Sequence, residues 1–194
     1  LCDIYSWPSC GALATAEHRL EDLAQDVADA GRLGAEVGER ADHVDGGDAE
    51  AHLALAEVLR TLDWDWEGAE REYRRALASN PNCEAAYKYY AVFLAARGRA
   101  EAPVIADRAC EIDPLCLMAN TVAAWTRYLS GDVDRAIERC RHALHLFPDF
   151  APAQRLLGAA YFKAGDHARA RATLEASVKA DPTDPIRLAW LAHL

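Results

Sequence analysis

The sequence predicts an all-α fold, an α-solenoid of stacked antiparallel helix pairs. Three observations carry that expectation. Four prolines, Pro81, Pro114, Pro148 and Pro182, follow one another at spacings of 33, 34 and 34 residues. Small side chains return in step with them: Ala69, Ala102, Ala136 and Ala170 stand twelve residues before the prolines, and Ala76, Ala109, Ala143 and Ser177 stand five before. Helix formers dominate the composition, and runs of Val, Ile and Thr are scarce. A period near 34 residues is the mark of a solenoid, because one helix pair cannot bury its own apolar stripe and must stack on a neighbour.

The last copy shows how each unit is built. Ala153–Ala164 reads as a first helix, and Gly165 as the turn, since glycine takes positive φ without a Cβ clash. Asp166 is placed to cap the second helix through its side-chain oxygen, and Pro182 stops that helix. Gly158 and Ala170 fall where the two helices cross, and small side chains there let the axes approach to about 8–10 Å.

In order along the chain, residues 1–13 are unassigned. Residues 14–48 read as a degenerate copy, with Gly34 and Ala41 at the two small positions and Gly31 at the turn. Clear copies cover 49–82, 83–115, 116–149 and 150–182, and residues 183–194 are a closing helix or the start of a truncated repeat. In the copy 49–82, Asp63-Trp64-Asp65-Trp66 replaces the turn glycine, and Ala56 lies 25 rather than 24 residues before Pro81, one extra residue in the turn. The tryptophans are expected to cover the end of that helix pair, with Asp65 capping a helix over Trp66–Ser79. The copy 83–115 is one residue short and puts Pro103 in the first turn of its second helix, where no N–H partner is lost. The tail carries Leu188, Trp190 and Leu191, too apolar to face water fully.

Leu157-Gly158, Tyr161, Ala170, Leu174 and Pro182 resemble the signature of the tetratricopeptide repeat, with Gln154 in place of the usual first aromatic. The runs DWDWEGAEREYRRALASNPN, YAVFLAARGRAEAP and DPLCLMAN are similar to tetratricopeptide arrays attached to bacterial signalling proteins, namely winged-helix regulators, adenylate cyclases and serine/threonine kinases. The resemblance implies a non-catalytic module that binds a protein or peptide in a concave groove lined by the first helices, the sensory or scaffold part of a larger protein. A cytoplasmic location follows from it, or a periplasmic one if the parent regulator spans a membrane. By helical phase the groove residues are Leu53, Glu57 and Arg60, then Lys88 and Val92, then Thr121, Trp125 and Tyr128, then Arg155, Ala159 and Phe162. An aromatic centre flanked by Lys88 and Arg155 suits an extended or helical peptide with an apolar anchor and a carboxylate. The type of tetratricopeptide domain that clamps chaperone tails needs lysine and asparagine where Leu53 and Glu57 stand, so that ligand is not expected.

Charge and cysteine content bound the alternatives. The formal net charge is −10, and residues 1–50 hold 12 acids against 3 bases. That balance opposes phosphate backbones, so no nucleic-acid partner is expected. No apolar run is long enough for a membrane span. The first residues lack a signal peptide's basic and apolar regions, and the start at Leu1 reads as a fragment or processed product. The six cysteines show no CxxC spacing and read as small buried residues, although Cys2 and Cys10 flank Trp7-Pro8 and invite pairing in an oxidising compartment. No phosphate loop, GxSxG, GxGxxG or HExxH occurs, so neither enzyme activity nor a cofactor is expected. His142 and His145 share a helix face, but Cys140 points away from it, and two ligands do not make structural zinc. The alternatives are a homo-oligomeric scaffold joined through the C-terminal helix and a Cys/His metal protein.

Overall fold

The computed structural model describes residues 49–192, so the copy read at 14–48 lies outside the described residues. Among them are nine helices and no strand. The chain divides into two compact units, and the division falls after Ala86.

The first unit contains the pair α1 (Ala49–Thr61) and α2 (Trp66–Ser79). Ala56, Ala69, Ala76 and Tyr73 are fully buried in it, so the small residues of the period lie in the packed face. Asp65 caps α2 as expected, its carboxylate accepting from Gly68 N at 2.8 Å, an arrangement that stabilises a helix by about 1 kcal/mol.

The second unit opens within α3 (Glu84–Ala96). It continues through α4 (Ala102–Ile112), α5 (Leu117–Ser130), α6 (Val133–Leu146), α7 (Ala151–Lys163), α8 (His167–Ala180) and α9 (Pro185–Ala192). From α4 onward each helix packs on the next, and α7 also touches both α5 and α9. First helices therefore lie side by side, as a stack of pairs requires. One core cluster joins Ala91, Ala106, Ala109, Cys110, Ala119, Val122 and Ala123 across α3, α4 and α5. Another joins Ala124, Cys140, Leu156, Leu157, Tyr161 and Ala170 across α5 to α8. Pro103 sits in the first turn of α4. α7 starts at Ala151, two residues before the expected Ala153, because Pro152 is also tolerated in a first turn.

The turns repeat one hydrogen bond. Arg99 N donates to Leu94 O, Asp132 N to Arg127 O and Asp166 N to Tyr161 O, each at 2.9 Å and each closing over a glycine of positive φ. In the first unit the same bond runs from Asp65 N to Leu59 O, six residues apart instead of five, so the extra residue sits in the turn. The left-handed position is kept, and Trp64 fills it with φ of 55°. Of the two tryptophans expected to cover the end of the pair, Trp64 is exposed and Trp66 is half-buried.

Two buried amides tie first helices to the loops before them. Asn120 Nδ2 donates to Pro114 O at 2.9 Å and to Cys116 O at 3.0 Å. Gln154 Nε2, in the matching place, donates to Pro148 O at 2.7 Å. At this position an amide satisfies a loop carbonyl that an aromatic side chain would leave to water.

Candidate functional site

Helical phase gives the direction of a side chain; packing decides whether it stays accessible. In the first unit Leu53 is buried with Ala56 in α1, which corrects its expected place in a binding groove. Glu57 accepts from Arg60 Nη2 at 2.6 Å and from the Tyr73 hydroxyl. Burial first, and then the Glu57 carboxylate, push the Tyr73 phenol well above its ordinary range. Glu57 and Arg60 are thereby committed to an internal network that satisfies a buried hydroxyl.

In the second unit, α3, α5 and α7 carry the remaining candidates. Thr121 is buried, and its hydroxyl donates to Leu117 O at 2.8 Å within its own helix, so it too belongs to the packing. Val92 is partly buried against the α3–α5 cluster, and Trp125 and Tyr128 are partly buried against the α5–α8 cluster. Lys88 is half-buried with its ammonium 5.5 Å from the Tyr89 ring centroid. Ala159 is half-buried. Phe162 is 43% exposed, held edge-on against His167 with centroids 4.8 Å apart.

Arg155 is half-buried and makes no hydrogen bond or ion pair among the described residues. Burial pulls its pKa below the usual guanidinium value; the Asp184 carboxylate opposes that shift and Arg187 adds to it. Arg187 is itself satisfied, by Asp184 at 3.1 Å and by Ser177 O at 2.7 Å.

Sequence reasoning passed over Lys163 and Met118. Lys163 Nζ donates to Tyr128 O at 2.7 Å and lies 4.5 Å from the centroid of the Tyr128 ring. Met118 is exposed in the first turn of α5, in 34-residue register with Ile186, which is exposed on α9. The register itself was the available signal for both apolar residues. No group of three His, Cys, Asp or Glu able to hold a metal occurs among the described residues. Cys140 is fully buried while His142 is exposed. The accessible chemistry of these residues is aromatic and aliphatic contact beside a half-buried cation.

Two family models, each described as tetratricopeptide repeat, match residues 65–114 and 128–194, together more than half of the chain. The chain is a tetratricopeptide-repeat protein. Its amide ties at Asn120 and Gln154, and the left-handed Trp64, are local departures within repeats whose small residues and prolines keep the common register. Solved structures share the fold of this tetratricopeptide-repeat chain. PilW, titled a widely conserved type IV pilus biogenesis factor, is 22% identical and superposes with a TM-score of 0.71 over 88% of this chain and 78% of its own. TTC0263, a thermophilic tetratricopeptide-repeat protein of Thermus thermophilus, is 21% identical with a TM-score of 0.68 over 92% and 98% of the two chains. YrrB, titled a tetratricopeptide-repeat protein with an unusual peptide-binding site, is 17% identical with a TM-score of 0.66 over 87% and 86%. No curated protein matches the sequence.

Proposed function

We propose that this tetratricopeptide-repeat chain is a non-catalytic protein-interaction module. Its docking face is formed by α3, α5 and α7 of the second unit. The ligand is a peptide, or a segment of a partner protein, that places an apolar side chain against Trp125 and Phe162 and a carboxylate on Arg155. The observation that carries this reading is Arg155, a guanidinium partly stripped of water with no ion pair among the described residues. Desolvating a cation without a partner is unfavourable, and an incoming carboxylate would offset it with a bidentate charge-assisted pair. Aromatic side chains and arginine are also the residue types that dominate binding energy at interfaces.

The test is a selection of random dodecapeptides displayed on phage, with the winners re-measured by fluorescence anisotropy. Arg155→Ala should weaken the selected peptides by about tenfold or more, as should Trp125→Ala. Equal affinity for wild type and both variants would remove this face from the reading.

The parent protein, on this reading, is a bacterial signalling protein with the array as its sensory or scaffold part, acting in the cytoplasm. That step rests on the sequence resemblance alone. No helix of the described residues is long and apolar enough to cross a membrane. A second reading is a scaffold joined through α9, favoured by the exposure of Ile186 and Leu188 on that helix. Light scattering on the full chain and on a chain ending at Asp184 separates it: only a mass that falls with truncation supports it.

A further inference from the structure

We propose that the turn between α1 and α2 is a separate docking point for a basic segment of a partner protein, with an arginine or lysine side chain seated against the Trp64 indole. Trp64 holds φ of 55° in the place where the other turns hold Gly98, Gly131 and Gly165 at 68°, 89° and 82°. A bulky L-residue is unfavourable there, and glycine is the usual solution. Burial does not offset that strain, because the side chain is 68% exposed. Its ring meets Trp66 edge-on, with centroids 5.8 Å apart and planes at 78°, which leaves most of the Trp64 indole facing water. Apart from that edge contact the ring is exposed, and exposed aromatics on strained backbone gather where something binds.

Charge says what binds. Asp63 and Glu67 lie within three residues of Trp64 in the chain, both exposed and neither in an ion pair among the described residues, while Asp65 is occupied as the cap of α2. Indole is the strongest of the side-chain faces for a cation, and carboxylates beside it supply charge-assisted acceptors for ammonium or guanidinium donors. The same carboxylates repel phosphates, which argues against a nucleic acid or an anionic lipid surface as the occupant. The first unit would thus take a cation where the face proposed on the second takes a carboxylate.

Fluorescence anisotropy of labelled hexa-arginine tests it on the full chain, at about 0.15 M salt to screen distant charge, with hexa-glutamate as control. Wild type binds the first and not the second. Trp64→Gly loses about two- to fivefold in affinity with Tm unchanged or raised, because the strain goes with the ring. Trp64→Asn, a residue that tolerates positive φ, repeats the loss, so the result does not hang on one variant folding. Asp63→Asn with Glu67→Gln also weakens binding. The rival is unspecific attraction to an acidic chain of net charge −10; it predicts that both Trp64 variants bind as wild type does, and that result overturns the proposal. A fall in Tm in both variants overturns it as well, since Trp64 would then be a structural cover. Trp125→Ala and Arg155→Ala leave hexa-arginine binding unchanged, which keeps this test separate from the peptide face of the second unit.

Discussion

The Cβ that Gly158 lacks would stand 2.7 Å from Cγ of Leu174. Leu174 is 1% exposed, so it has nowhere to retreat, and the contact sets how closely α7 and α8 approach. Gly158→Ala gains about 1 kcal/mol of helix propensity. Overpacking a closed core costs about 1–3 kcal/mol. The expected net result is a loss of about 1 kcal/mol in urea unfolding, with the slope of the transition unchanged. A variant more stable than wild type would show that the helices can part at no cost.

Ser177 is fully buried, and its hydroxyl has no hydrogen-bond partner among the described residues. The three matching positions hold Ala76, Ala109 and Ala143, all fully buried. A buried hydroxyl without a partner is destabilising by about 1–3 kcal/mol, and alanine is the better helix former. Ser177→Ala is therefore expected to raise stability by about 1 kcal/mol in the same assay. Arg187 keeps its bond to the Ser177 backbone carbonyl, which the substitution leaves in place. A destabilised Ser177→Ala would mean the hydroxyl is satisfied after all.

The parts of this fold that sequence made legible are those where one residue type answers one constraint. Ala69, Ala136 and Ala170 had to be small to let helices cross, and Asp65 and Asp166 had to carry a short acceptor to cap the next helix. The turn at Trp64 was legible from the register of the other turns, but its left-handed φ was not, because that conformation is read from glycine and a tryptophan there breaks the rule. The ties at Asn120 and Gln154 depend on a carbonyl six residues back, visible only once the loop is folded. Among the groove candidates, Leu53 and Thr121 show the limit of helical phase: it sets direction, while burial depends on what the neighbouring helix brings.

Asp166 supplies a pH test. Hydrogen bonds hold its carboxyl below the ordinary range, first from Arg169 N and then from the Arg169 side chain. A lowered folded-state pKa contributes stability that is present above the unfolded value of about 3.9 and is lost as pH falls through the folded one. Asn can still cap the helix but does not titrate. The Tm difference between wild type and Asp166→Asn should therefore favour wild type near pH 6 and shrink steadily below pH about 3.9. A difference independent of pH would locate the effect in shape instead of charge.

Thiol chemistry should sort the cysteines by burial. Burial pushes the Cys140 thiol up to about 12 and, as the largest cause, the Cys110 thiol up to about 11. Cys83 and Cys116 are only partly covered. The thiolate is the reactive form, so at pH 8 the native chain should take iodoacetamide at Cys83 and Cys116 before Cys110 and Cys140. Cys110 and Cys140 should be modified only in urea, as mapped by peptide mass. Modification of native Cys140 at the rate of Cys83 would show that the α5–α8 core opens.

Asp107 on α4 holds two arginines at once: Arg127 of α5, whose side chain is 8% exposed, through Oδ2, and Arg139 of α6 through Oδ1 at 2.8 Å. Arg127 also donates to Ala123 O at 2.9 Å, so the guanidinium is satisfied only while Asp107 is present. Asp107→Ala leaves a buried cation without its counter-charge, which costs about 3 kcal/mol in a dry site. Asp107 and Arg139 are each about a third exposed, and water screens that part of the pair, so about 2 kcal/mol is the better expectation. The magnitude alone cannot distinguish a lost attraction from a stranded charge, but a second substitution can. Arg127→Met in the Asp107→Ala background removes the stranded cation and should restore more than half of the loss. No recovery in the double variant would mean that the aspartate acts by joining α4 to α5 and α6, with the buried charge playing little part.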